Sequence, residues 1–146
     1  MFPNCYISEL VKFQKVQDHT SAGTSTVTSD TIDLSGYDGV CVISSFGTAA
    51  SNNTVKLQQS SDDGGSDDYS DLEGTSTTSG SSDEDVFVDL KSPTKRYVKA
   101  VFARGTSSTL ESVYAILYRA RALPVDNTTT GTIAGETFTA PAEGTA

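Results

Sequence analysis

The chain has 146 residues and a mass of 15.3 kDa, with 10 basic and 19 acidic residues, a formal net charge of -9 and a pI near 4.3. That is room for one domain, and its acidic field is the wrong sign for phosphate contacts, so no nucleic-acid partner is expected. No run of about 18 apolar residues offers a membrane span, and Met1 to Tyr6 lacks the basic and apolar regions of a secretory signal, so synthesis in the cytosol is expected.

Short apolar runs alternate with Ser/Thr/Gly/Asp clusters every eight to twelve residues, the spacing of an all-β sandwich or barrel. Eight strands are predicted. The first, over 7–17, carries Ile7, Leu10, Val11, Phe13 and Val16, with room for a short helix at its start. The second, over 24–34, is Thr-rich with Val27, Ile32 and Leu34. Ser35 to Gly39 reads as a turn in which Asp38-Gly39 supplies the positive φ of a tight reversal. Residues 40–46 are apolar on both faces at the start, so this strand is expected at the centre of a sheet, with Cys41 a buried free thiol. Residues 54–60 alternate Val55 and Leu57 inward with Lys56 and Gln58 outward, and a short strand over 68–72 carries Tyr69 and Leu72. Residues 85–90 set Val86, Val88 and Leu90 against Asp85, Phe87 and Asp89, and Pro93 blocks continuation. Residues 96–104 set Val98, Ala100 and Phe102 against Tyr97, Lys99 and Val101. The last strand, over 111–121, sets Val113, Ala115 and Leu117 against Tyr114, Ile116 and Tyr118; its second face is either buried or meets another chain. The predicted core comprises Val42, Leu57, Val88, Val98, Phe102, Val113 and Leu117.

Pro124 closes the domain, which divides the chain into a sandwich over 1–124, its first six residues an N-terminal arm, and an extended C-terminal arm over 125–146. That arm has only Val125, Ile133 and Phe138 as large apolar anchors. At about 1.5–3 kcal/mol per fully buried side chain they return less than backbone ordering costs. The arm therefore needs outside support, which makes it the expected intermolecular tether.

Chemistry-bearing residues are sparse. His19 is the only histidine, and Cys5 and Cys41 are 36 positions apart, so neither a zinc site nor a disulfide framework is indicated. The stretch Asp62-Asp63-Gly64-Gly65-Ser66-Asp67-Asp68 has oxygen ligands of the kind calcium takes, but not EF-hand spacing, and reads more simply as a solvated hairpin tip. Asn52-Asn53-Thr54 and Asn127-Thr128-Thr129 match the glycosylation pattern. No nucleophile elbow or phosphate loop is present, and no enzymatic activity, metal or cofactor is expected. Charge is segregated: ten acids and no bases lie between Ser60 and Leu90, then seven bases and one acid, Glu111, between Lys91 and Arg121. Two readings stand: complementarity within the chain, or docking of the basic half on an acidic partner.

Four stretches carry a resemblance. They are Thr31-Ile32-Asp33-Leu34-Ser35-Gly36-Tyr37-Asp38-Gly39-Val40; Val55 to Gly64 followed by Tyr69 to Thr75; Pro93 with Lys95-Arg96-Tyr97-Val98-Lys99-Ala100-Val101; and Ser112 to Tyr118 through Pro124 to the Pro141-Ala142-Glu143-Gly144-Thr145-Ala146 terminus. In this order they resemble a family of small head decoration, or cement, proteins of tailed bacteriophages that accompany the major capsid protein. The likeness runs over residues 7–146. It implies a jelly-roll-like antiparallel β-sandwich on the outer surface of the virion capsid, bridging capsomers, with the major capsid protein as partner and self-association as a trimer or dimer. The acidic insert between Asp62 and Asp85 departs from that family's tighter hairpins and leaves room for a carbohydrate or host-adhesion role. The expected partner-binding residues are Arg96, Lys99, Tyr114, Ile116, Tyr118, Arg119, Arg121, Ile133 and Phe138.

Overall fold

The computed structural model describes residues 4–47, 53–80, 84–105, 107–127 and 132–145. A four-residue helix, α1 (Ile7–Leu10), is capped by the Glu9 carboxylate, which accepts the Tyr6 N–H at 2.8 Å. The rest of the regular structure is β. One sheet contains β1 (Lys12–Gln17), β2 (Thr20–Gly23), β5 (Gly39–Phe46), β9 (Glu84–Lys91), β11 (Ser108–Leu110) and β12 (Val113–Tyr118). The other contains β3 (Val27–Thr28), β4 (Ile32–Asp33), β6 (Thr54–Ser60), β7 (Ser70–Asp71), β8 (Thr77–Thr78) and β10 (Tyr97–Ala103).

Several of these are halves of one interrupted strand. β1 and β2 run along β12 and β11 of the same sheet; β3 and β4 both pair β10; β7 and β8 both pair β6. Merged in this way there are eight strands, and every pair is antiparallel. First pairs eighth, second pairs seventh, third pairs sixth and fourth pairs fifth. The two sheets then read 1-8-3-6 and 2-7-4-5 over the described residues, an all-β antiparallel sandwich.

Alternation produces the core. β5 buries Val40, Val42, Ser44 and Phe46; β10 buries Val98, Ala100 and Phe102; β12 buries Val113, Ala115 and Leu117. All seven predicted core residues are buried. Phe46 from the first sheet meets Phe102 from the second edge-on, with ring centroids 6.1 Å apart. As expected, β5 is central, flanked by β12 and β9.

Three expectations need correction. The positive φ of the turn before β5 falls on Gly36 (+87°), and Gly39 is instead the first residue of the strand. Gly39 is needed for a different reason: a Cβ there would lie 2.3 Å from ring atoms of Tyr118. Gly39→Ala should therefore cost about 1–3 kcal/mol by pushing that ring off its seat. It should also free a phenol that burial and the Asp89 carboxylate push up to about 12, so Tyr118 would ionise nearer its ordinary value of 10.0. Tyrosinate absorbance across an alkaline titration checks both effects. Second, Cys41 is half-buried on the outer face rather than buried, and partial burial raises its thiol pKa. Third, the last strand ends at Tyr118 rather than 121, where Arg119 turns to φ +53°.

The stretch after Pro124 begins inside the domain. Val125 is buried, and its N–H donates to Glu9 O at 2.8 Å. The Asn127 amide donates to Ser8 O (2.7 Å) and Val11 O (2.9 Å) and accepts from Phe13 N–H (2.8 Å). These bonds occupy both its hydrogens and cap the outer edge of β1, so Asn127 serves as a structural clasp rather than an open glycosylation acceptor. Asn52, the other candidate, lies outside the described residues.

Candidate interaction surface

The outward side chains of the first sheet line up in rows fixed by strand register. Phe87 on β9, Ile43 on β5, Tyr114 on β12 and Lys15 on β1 form one row; Asp89, Cys41, Ile116 and Phe13 form the next. Inner positions of these strands fill the core, so the strands could close the sandwich with polar residues here. Instead Phe87 is 62% exposed, Tyr114 43% and Ile43 37%. An apolar stripe thus crosses the outer face of a sheet, where solvent-facing residues are ordinarily polar.

Part of this stripe has a neighbour from its own chain. Residues 133–137 of the C-terminal arm form one side of an open groove of about 940 Å³ whose lining includes Phe13, Ile43, Tyr114, Ile116, Val125 and Ile133. Thr139 Oγ1 lies 2.8 Å from the Tyr6 hydroxyl, which ties the arm to the N-terminal segment. The arm's described residues form no helix or strand, and Phe138 remains 68% exposed.

The predicted partner-binding residues fall in separate places. Tyr114, Ile116 and Ile133 meet in the groove. Tyr118 lies on the same face but covers Gly39, and its hydroxyl donates to Asp89 at 2.6 Å. Arg96 and Arg121 line a small cleft with Tyr37 and Pro93 at one end of the sandwich. Arg119 donates to Ser92 Oγ at 3.2 Å. Lys99 lies on the outer face of the second sheet with its ammonium 4.3 Å from the Tyr69 ring centroid. Phe138 touches none of these clusters through any described contact.

Most of the basic residues after Lys91 have partners within the chain. Arg96 forks onto Asp33 with two bonds of 2.8 Å, Arg121 reaches Asp38 at 2.7 Å, and Lys95 reaches Asp67 at 2.6 Å. Arg104 is 8% exposed and donates to the carbonyls of Ser21, Ser25 and Ser108 and to Ser25 Oγ. It holds β2 and the 24–26 loop onto β10, a role that sequence pattern alone does not reveal. Lys95–Asp67 joins the acidic stretch to the basic one, whereas Arg96 and Arg121 take acids from earlier in the chain, Asp33 and Asp38. Solvent screening leaves the exposed pairs little weight in stability.

The acidic tip is organised by its own backbone. Asp62 accepts N–H bonds from Gly65, Ser66 and Asp67. Asp63 accepts from Tyr69 and Thr31. Asp67 accepts from Lys95 and Ser61, which hold its carboxyl down to about 2. Among the described residues, no three His, Cys, Asp or Glu side chains converge as a metal ion would require. His19 is exposed, 3.1 Å from Glu111. The Tyr69 ring, the obvious stacking surface for a sugar, carries Lys99 on one face.

These carboxylates set an acid limit. Asp33, Asp38, Asp62, Asp63, Asp67 and Asp71 are all held below the ordinary 3.8 by hydrogen bonds from Arg, Lys, Tyr, Thr, Gln or backbone donors. A lowered folded pKa contributes stability that is complete above the unfolded value and is lost as protons bind. The melting temperature should therefore hold from neutrality to about pH 4 and fall between about pH 4 and 2, with a smaller fall in Asp67→Asn.

No protein-family model, curated protein or solved structure matches this chain.

Proposed function

We propose that this chain is a structural protein of a tailed bacteriophage, a head decoration or cement protein that binds the outer surface of the capsid and bridges neighbouring capsomers. The observation that carries the reading is the combination of a two-sheet sandwich with a polar C-terminal arm, whose described residues form no helix or strand, beside the apolar outer face of one sheet. A sandwich is a block that resists deformation. An extended arm of 20 residues reaches up to about 66 Å, enough to touch a neighbouring subunit. Many weak contacts of this sort, repeated by capsid symmetry, hold through avidity.

In this reading the partner is the major capsid protein, the location is the outer surface of the virion, and copies associate with one another, a trimer before a dimer. Nothing in the site calls for catalysis, so the protein is read as a non-enzyme. Tyr114, Ile116, Ile133 and Phe138 provide the principal contacts. Arg96, Lys99, Arg119 and Arg121 add a salt-sensitive attraction to an acidic shell, weakened by the partners that already hold Arg96 and Arg121. Co-sedimentation with purified heads of the phage that encodes it, full and emptied, tests the proposal. Stoichiometric binding to heads with no binding to host glycans is expected; glycan binding without head binding would favour host adhesion instead.

A further inference from the structure

The sheet edges of this sandwich differ. The second sheet ends in two-residue pieces on both sides, β3 and β4 on one, β7 and β8 on the other. The edge of the first sheet opposite β9 is split between β1, whose Phe13 N–H is taken by the Asn127 amide, and the four-residue β2. β9 is different: eight residues long, it pairs β5 throughout and has no strand on its other side among the described residues. Antiparallel geometry turns alternate N–H and C=O groups of such a strand away from its partner. Long, unblocked edges of this kind are templates for another strand, and proteins usually shorten, bulge or cover them.

Side chains narrow down what this edge would accept. The outward residues of β9 are Asp85, Phe87, Asp89 and, at its end, Lys91, so the exposed aromatic has a carboxylate two positions to either side, the second of them also accepting the Tyr118 hydroxyl. Phe87 continues in register into Ile43 and Tyr114, so the apolar stripe that starts beside the arm runs out to this open edge. An added strand would place an outward side chain beside Phe87 and its second neighbours beside the two aspartates. Self-pairing about Phe87 would set Asp85 of one copy opposite Asp89 of the other, which is repulsive, and self-pairing about Val88, which sets Asp85 opposite Lys91, would place Phe87 against the charged Asp89 instead of an apolar side chain. The arms are unsuitable too: residues 1–11 and 125–146 contain no Lys or Arg, and Glu9, Asp126, Glu136 and Glu143 are acidic.

We propose that β9 docks, by strand addition, an extended segment of a partner protein in which an apolar residue is flanked two positions away on each side by Lys or Arg. Backbone bonds supply the affinity, and the apolar residue against Phe87 with the two cations on Asp85 and Asp89 supplies the selectivity. The proposal stands whether or not the partner is a capsid protein.

Labelled peptides of sequence Thr-Lys-Thr-Ile-Thr-Lys-Thr and Thr-Glu-Thr-Ile-Thr-Glu-Thr test it with the full chain, read by fluorescence anisotropy and by amide exchange at residues 85–90. The basic peptide should bind about tenfold or more tighter than the acidic one and slow exchange of alternate β9 amides. Asp85→Lys with Asp89→Lys should reverse the preference, and Phe87→Ser, at an exposed position that leaves the core intact, should weaken binding of the basic peptide. Equal binding of both peptides, no protection of β9 amides, unchanged affinity in Phe87→Ser, or self-association of the chain through β9 would each overturn the proposal. Normal head decoration by the Asp85→Lys/Asp89→Lys protein would separate this edge from capsid binding without affecting that reading.

Discussion

Phe102→Ala is expected to destabilise the sandwich by about 3–5 kcal/mol, the range for truncating a fully buried aromatic. Phe102 has no exposed surface and is on β10, the central strand of the second sheet, between β6 and the β3/β4 edge. Its ring meets Phe46 across the sandwich, so truncation opens a void where the two sheets touch. The loss combines the transfer term of the missing ring with an unfilled cavity that neighbouring strands cannot collapse into without breaking register. A domain of this size commonly has about 5–15 kcal/mol in total, so the variant should melt far below the wild type or fail to accumulate. Chemical denaturation with an unchanged slope and a lowered midpoint would establish the effect; a wild-type midpoint would remove Phe102 from the core.

Under the proposed decoration function, truncation after Asn127 is expected to leave a folded domain that no longer binds heads or no longer self-associates. The cut is placed after Asn127 rather than after Pro124 because Val125 and Asn127 hold α1 and the start of β1 by four hydrogen bonds. Removing those residues would expose polar backbone at the β1 edge and confound stability with function. Beyond Asn127 the described arm contributes Ile133 to the groove and a hydroxyl contact from Thr139 to Tyr6. Neither is part of the core, so the melting temperature should change little while head binding is lost. Retained binding at wild-type density would transfer the role to the sheet face bearing Tyr114 and Ile116.

Strand positions with apolar alternation were legible in the sequence, because burial on one face leaves a period-two trace. Val86, Val88, Val98, Ala100 and Phe102 all follow it. β2 and β8 leave no such trace: Thr20-Ser21-Ala22-Gly23 and Thr77-Thr78 are strands because β11 and β6 offer backbone partners to them. Gly39 looked like a turn glycine, and only the position of the Tyr118 ring gives its actual reason. The outward apolar face was visible as the double-sided patterns of β5 and β12. Its extension to Phe87 depends on register, which pairs Phe87 with Ile43 and cannot be read from either segment alone. Arg104 and Asn127 were silent because their partners are main-chain carbonyls and amides, which every sequence supplies.

An electron cryo-microscopy map of heads from the phage proposed to encode this protein, with and without it, tests the central claim most directly. The account predicts extra density on the outer surface at capsomer junctions, fitted by the sandwich, with the C-terminal arm leading to a neighbouring subunit. Identical head surfaces in the two maps, or density confined to the tail or fibres, would contradict it.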